Sequence, residues 1–523
     1  MDNSSHFPGP VNPTAGVDQD GFATVIFDHD HVRPTENNDE QVANDTLAGS
    51  ERVNEPRAFS WAAFNLRVGI ANAQWREVPR TASDSDNSEK TQESSPVSSH
   101  GCDRSVSSSI VHGYESFDTW QHTVRKFVLG HWPEMDSCDI QLERIKGGSY
   151  NRIVGINMLA PLPSYSFVPV RKLRQMLNHS KERRIINQYI LRVPLNTEAF
   201  SMPYDVTILA YIRPLLRFPT PEVIGSDKTC HNTLQLPYMI QHRLDGIPLN
   251  RLWDKLNHQQ KKSAVEGFAK VILNLHELTS QRAGVLSPKN SAVSLTNLPI
   301  LEQLAVPTGI FNFQPTAIHT QPMQGRLAKD QTPAEFLISM CERQHNYEKY
   351  HWDEGYPYPY GWVWNSFIRI IKHLHAIGVL PDNEPFYFLH GDLFPRNVLM
   401  RSNSPTTVEI TGVLDWDMAH FGPKFMAMCP PFYFWNGGNE RDEDFVLDER
   451  MNARGLELKR VFDNAVGKDF CRRAYSREYV LLRKVYKILI WGFSRLNGTS
   501  MLQAEKIMRD LENLHPDLNS HVV

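Results

Sequence analysis

In FYFLHGDLFPRNVLM (residues 386–400) an apolar run stops at His390-Gly391-Asp392 and resumes after Asn397. A strand buried in a core has no use for His, Asp, Arg and Asn in its middle. Further on, VLM (398–400) and VEITGVL (408–414) are joined by turn-rich RSNSPTT and read as a hairpin. That hairpin sets Asn397, at its entrance, beside Asp415, at its exit; Asp417 follows in D-W-D. Asp392, Asn397 and Asp415 can therefore converge on one point. Carboxylate and amide oxygens are the hard ligands that Mg²⁺ takes. This ion keeps one or two protein carboxylates and completes its shell with water and phosphate oxygens. The set implies a nucleoside triphosphate more than a structural metal cage. It matches a known scheme of phosphoryl transfer, in which a loop Asp accepts the proton of a substrate hydroxyl. An Asn five residues on and an Asp after the next strand hold the metal. A lone Asp at such a place would be a turn former or a cap; the specificity lies in the combination.

Several elements must position these groups. FDTWQHTVRKFVLGHW (117–132) has helical spacing, and DIQLERI and SYNRIVGINML are β-like runs around Gly147-Gly148. YILRVPL (189–195) reads as a third strand, DVTILAYI as a helix over about 203–213, and PEVIGSD and LPYMIQHRL as two more strands. From 259 the period becomes 3.6, with Val265, Phe268, Ile272 and Leu275 on one helical face. Residues 279–330 are rich in loop formers, and the chain after 430 is mostly helical in pattern. Strands first and helices later predict an α+β fold of two lobes.

Composition narrows the classes. The chain has 523 residues, 41% hydrophobic and 22% charged, with a net charge of −4. Nothing there calls for nucleic acid or an anionic membrane. The six cysteines are scattered without a C-x-x-C pair, which argues against a zinc cluster and for free thiols in a reducing compartment. The first fifty residues hold nine acidic side chains against Arg33 alone, the wrong sign for a transit peptide. No signal peptide is evident, and no apolar run reaches the ~18–20 residues of a membrane span. The expected location is the cytoplasm or nucleus. Residues 81–109 are Ser-rich and of low complexity, so the N-terminal region is expected to be largely disordered. Within it 58–75 is apolar enough for a short element. The region is a candidate contact for a protein partner.

FLHGDLFPRNVLM together with ITGVLDWDMAHFGP resembles the aminoglycoside phosphotransferase and choline kinase-like family, in its fungal branch. The resemblance covers about 116–495. It implies the protein-kinase-like fold, with a small β-rich N-lobe and a larger helical C-lobe, and it implies ATP and Mg²⁺ as cofactors. Asp392 then looks like the catalytic base or the Asp that orients the substrate, Asn397 and Asp415 like the Mg²⁺ ligands, and His390 like a brace of the loop. Asp417 is either an anchor behind the ligands or a helix cap; Arg396 faces phosphate or solvent. Gly147, Gly148 and Ser149 fit a hairpin that covers phosphates. Arg192 stands where this fold commonly has a Lys, and Asp205 where the helix Glu that pairs with it would be. Arg keeps its charge and forms a bidentate fork, so the pair can function. LPYMIQHRLDGIPL (236–249) fits the linker between lobes, with adenine bonded to backbone around Gln241–Arg243.

The domains expected are 1–115, an N-lobe over 116–245, a C-lobe over 246–510 with an insertion near 279–330, and a tail over 511–523. Gly391 in place of an Arg, and no A-P-E-like end to an activation segment, point to a small hydroxyl acceptor rather than a protein. Trp362, Trp364, Tyr356–Tyr360 and the acidic run Asn439–Asp444 are candidate walls for that acceptor. The alternative is a kinase-like, ATP-binding regulatory protein with weak or no turnover, to which the Arg192/Asp205 variation, the long tail and the insertion lend weight. Retention of Asp392, Asn397 and Asp415 together favours the enzyme.

Overall fold

The computed structural model describes residues 115–145, 151–160, 183–194, 202–289, 299–304, 326–351, 361–435, 451–491 and 499–519. The expected disorder before 115, the element at 58–75, the Gly147–Ser149 turn and parts of the insertion lie outside these residues.

The first helix, α1 (Phe117–His131), is capped by Ser116, whose side chain accepts from the Thr119 N–H. Its buried residues Trp120, Val124, Phe127 and Val128 lie on one face, as their spacing demands. That face packs on a five-stranded antiparallel sheet in the order β1-β2-β3-β5-β4. The strands are β1 (Ile140–Ile145), β2 (Asn151–Leu159), β3 (Ile185–Pro194), β4 (Val223–Asp227) and β5 (Tyr238–His242). β3 starts four residues before YILRVPL because its pairing with β2 runs out to Leu159. Alternation along β3 decides what the sheet presents. Tyr189, Leu191 and Val193 enter the core under α1, so Arg192 between them faces the other way. Helix α2 (Met202–Ile212) follows β3 and carries Asp205 in its first turn.

After the sheet come β6 (Ile247–Pro248), α3 (Leu249–Leu252) and α4 (His258–Leu275), the last opened by a capping box of Asn257 and Gln260. Short strands β7 (Thr279–Ser280), β8 (Val285–Leu286) and β9 (Leu301–Glu302) precede α5 (Pro333–His351) and α6 (Gly361–Ala376). Then follow β10 (Phe386–Leu389), β11 (Val398–Ser402), β12 (Val408–Val413), β13 (His420–Gly422) and α7 (Lys424–Ala427). Helices α8 (Ala453–Tyr475), α9 (Arg477–Trp491) and α10 (Thr499–Leu514) come last. Three small sheets, β13-β10-β7, β12-β11-β6 and β8-β9, sit among these helices. The architecture is thus α+β, as the order of strands and helices predicts, with an antiparallel sheet first and a larger helical part after it. Among the described residues no helix is long and apolar enough to cross a membrane.

The strand that delivers the H-G-D loop is held from inside. Phe386 and Phe388 of β10 are buried, and Phe388 meets Trp416, Phe421 and Tyr211. Phe388→Ala is expected to lower the unfolding free energy by about 3–5 kcal/mol in urea denaturation. A loss under about 1 kcal/mol would show that this ring does not anchor the strand.

Candidate active site

The loop after β10 turns at Gly391, which has φ +79°. A Cβ there would lie 2.4 Å from the Met418 carbonyl oxygen. Both conformation and space therefore demand glycine. The residue that pointed to a small acceptor thus also has a local steric cause. His390, buried beside Trp416, donates from Nε2 to the Leu414 carbonyl at 2.9 Å. Its Nδ1 accepts the Asp392 N–H at 3.2 Å. Two bonds of opposite sense fix a neutral tautomer, and burial lowers its pKa to about 4. His390 is a brace between the loop and Leu414, the residue that follows β12 and precedes Asp415.

Asp392 is gripped at both oxygens: Arg396 Nη2 donates to Oδ1 at 2.6 Å and Asn397 Nδ2 to Oδ2 at 2.8 Å. Burial raises its pKa; Arg396 and Asn397 counter that only in part. Asn397 also donates to the Asp392 carbonyl at 2.9 Å. With its amide nitrogen so used, its amide oxygen is the atom left to serve as a ligand. The β11–β12 hairpin has Val398 opposite Val413, and the Leu414 N–H donates to the Asn397 carbonyl at 2.8 Å. Asn397 and Asp415 therefore meet where the hairpin closes, as its spacing predicts.

Asp415 is left-handed, with φ +66°. Few residues other than glycine accept this, and strain of this kind gathers at functional sites. The turn sends the Trp416 ring into the core, where Nε1 donates to the Val413 carbonyl at 2.9 Å. Its two Asp neighbours meet Arg192 instead. Arg192 Nη2 contacts Asp417 Oδ2 at 2.6 Å and Asp415 Oδ1 at 3.6 Å. Burial opposes the Arg192 charge, but Asp417, Asp415 and Asp205 outweigh it and push its pKa up. The Asp415 pKa is raised by desolvation in the cleft and by the charge of Asp417, against Arg192. Its side chain is 47% exposed, so the desolvation comes from the cleft walls and not from full enclosure.

The expected partner of Arg192 was Asp205, yet the ion pairs within 4 Å run to Asp417 and Asp415. Asp205, on α2, is buried and acts on Arg192 through its field; the two share the walls of one small cavity. Asp417 is thus the anchor of Arg192. The Trp between two Asp was the available signal, since a ring bound for the core turns its neighbours away from it. Arg396 meets the Asp392 carboxylate, a contact that its i+4 spacing could have indicated. Of the expected acceptor walls, Trp364 is fully buried against Phe367, because α6 turns it into the core, and cannot face an acceptor. Trp362 is exposed, and Tyr356–Tyr360 and Asn439–Asp444 lie outside the described residues. At the linker, Gln241 is buried and Arg243 pairs with Glu143 at 2.5 Å.

Residues 176–426 match the family model described as the phosphotransferase enzyme family. That span takes in Arg192, Asp205, Asp392, Asn397, Asp415 and Asp417. A subtelomeric hrmA-associated cluster protein of Aspergillus fumigatus is 21% identical over 276 residues, 45% of this chain and 53% of that one. The match thus spans about half the length of that curated relative. Among solved structures, one that is similar is a thermostable mutant of aminoglycoside phosphotransferase APH(4)-Ia in ternary complex with ADP and hygromycin B. It is 16% identical with a TM-score of 0.37, covering 77% of this chain and 99% of that one. Another is the GDP complex of wild-type aminoglycoside 2'-phosphotransferase-IIIa, 13% identical with a TM-score of 0.39, covering 75% and 99%.

The site also sets a pH dependence. His420 is buried, donates from Nδ1 to the Met418 carbonyl at 2.8 Å and meets the Tyr486 hydroxyl at 2.8 Å through Nε2. Burial lowers its pKa to about 4. The unfolded chain binds this proton near 6.5, so stability from the neutral ring is lost as pH falls from about 6.5 to about 4. The raised carboxyls of Asp392 and Asp415 act in the opposite direction. The effect is therefore read as a difference. Between pH 7.5 and 5 wild type should lose about 2 kcal/mol more than His420→Gln in parallel urea titrations. Equal losses would mean that His420 is not held neutral.

Proposed function

We propose, from the match of residues 176–426 to the model of the phosphotransferase enzyme family, that this chain transfers the γ-phosphate of ATP, with Mg²⁺, to a hydroxyl of a small molecule. The observation that carries the reading is the Asp392–Asn397 hydrogen bond at the end of the hairpin ladder, where the Leu414–Asn397 backbone bond sets Asp415 alongside and Asp417 holds Arg192 beside it.

The donors fit Mg²⁺. Asn397 keeps its amide oxygen available, and Asp415 brings a carboxylate whose crowding by Asp417 a cation would relieve. Bound there, the ion would neutralise charge on the phosphate oxygens. Asp392 takes the proton of the acceptor hydroxyl as its oxygen bonds to the γ-phosphorus; the bond from phosphorus to the bridging oxygen breaks and ADP leaves. Asn397 and Arg396 orient the Asp392 carboxylate for that step, and His390 fixes the loop behind it. Arg192 supplies a permanent positive charge toward the phosphates. Gly147, Gly148 and Ser149 would cover them with backbone N–H groups.

A second reading, nucleotide binding with little turnover, draws on one observation. Arg192 lies 3.6 Å from Asp415 and so competes with a cation for that carboxylate.

Thermal shift with ATP, with and without Mg²⁺, tests the metal ligands. Asp415→Ala should lose the Mg²⁺-dependent part of the rise in melting temperature; a full rise would refute its role. Asp392→Asn should keep the nucleotide shift and lower turnover by about 10²–10⁴-fold against a panel of hydroxyl acceptors. Activity at the wild-type level would remove Asp392 from the chemistry.

A further inference from the structure

The segment that sequence sets aside as an insertion holds both sides of the Arg192 cluster. We propose that the β8–β9 hairpin is a bracket that sets α2 against the chain carrying Asp415 and Asp417, with Glu302 and Tyr204 as its positioning residues. The inference rests on the role given to Arg192 and Asp205 above.

On the α2 side, Glu302 is 2% exposed and its carboxylate accepts two hydroxyls. Tyr204 donates to Oε2 at 2.8 Å and Ser287 to Oε1 at 2.6 Å. Hydrogen bonds to a carboxylate are the stronger kind, and losing one in a buried place is costly. Val285, Leu286 and Leu301 of the hairpin share a core with Met202, Ile208 and Ile212 of α2. On the other side, Gly284 and Phe421 exchange backbone hydrogen bonds, Gly284 N–H to Phe421 at 2.9 Å and Phe421 N–H to Gly284 at 2.7 Å. Phe421 lies in β13, four residues after Asp417. Gly284 has φ +153°, and a Cβ there would lie 2.2 Å from the Glu302 carbonyl oxygen, so the hairpin closes tightly at this point.

The consequence is geometric. Tyr204 and Asp205 are neighbours in the first turn of α2, about 100° apart around its axis. Pinning the Tyr204 hydroxyl sets the rotation of the helix, and with it the approach of Asp205 to Arg192. The same hairpin, through Phe421, sets the approach of Asp417 to that guanidinium from the other side. Arg192 is thereby suspended between two carriers joined by one small hairpin. Its reach toward the phosphates follows from the bracket.

Tyr204→Phe keeps the ring and removes only the hydroxyl. It is expected to weaken Mg·ATP binding about tenfold by isothermal titration, with KM for ATP rising by a similar factor. In an Asp205→Asn background the same change should have little further effect, because both act through the field of Asp205 on Arg192. Glu302→Gln, whose amide oxygen still accepts from Tyr204, should stay within about threefold of wild type. If Tyr204→Phe does not fold, Ser287→Ala, which removes the second hydroxyl that holds the Glu302 carboxylate in place for Tyr204, should weaken Mg·ATP binding in the same direction. The bracket is refuted if the variant lowers the melting temperature but leaves ATP affinity unchanged. It is equally refuted if the single effects multiply in the double variant. A wild type that binds no Mg·ATP overturns the proposed function; one that binds it, with Tyr204→Phe unaltered, overturns the bracket alone.

Discussion

A guanidinium shut away from water cannot shed its proton at any accessible pH, so something must match its charge. Arg192 is such a group, and much of the site can be understood as the means of matching it. β3 puts it on the face of the sheet turned away from α1 because its neighbours Leu191 and Val193 are taken by the core. Asp417 meets it at 2.6 Å, Asp415 stands at 3.6 Å, and Asp205 adds its field from α2. Take away one carboxylate and the rest must carry a buried cation, which is far costlier than an exposed one. The sheet, α2 and the D-W-D turn are therefore tied to one another through a single side chain.

The opposite half of the site is organised by groups kept neutral. His390 and His420 are buried, bonded at both ring nitrogens, and unable to protonate near neutrality. They link the H-G-D loop to Leu414 and the Met418 turn to α9 without adding charge near Asp392. Gly391, pressed against Met418, allows the two loops to approach as closely as they do. Charges thus line the cleft, while neutral imidazoles and the ring of Trp416 form its backing. This division is favourable: an ion in the backing would be desolvated without a partner, whereas in the cleft Arg192 and the carboxylates face one another.

Much of this was legible from local pattern. The H-G-D-x-x-x-x-N run, the turn-rich RSNSPTT and the apolar VEITGVL predict a hairpin, and a hairpin's register places Asn397 next to Asp415 by geometry alone. The helical spacing of 117–132 and the alternation of 189–195 were equally plain, because burial of one face is written into the residues of that face. Where the end of an element depends on its neighbour, the pattern was weaker. β3 runs further than its own apolar residues require, because β2 offers it partners as far as Leu159.

What the amino-acid sequence determined by itself is therefore the layout of the loop and hairpin, whose Asp392 and Asp415 are joined through a short, predictable turn. The partner of Arg192 was decided by tertiary structure. Asp417 is 225 residues away, while Asp205, much nearer in the chain, had the better claim by position. Likewise nothing local says that Glu302 of the insertion will meet Tyr204, 98 residues before it. Ionic partners and brackets of this kind depend on where whole elements come to rest. Such placement follows from the packing of the shared core, and no spacing within a single element encodes it.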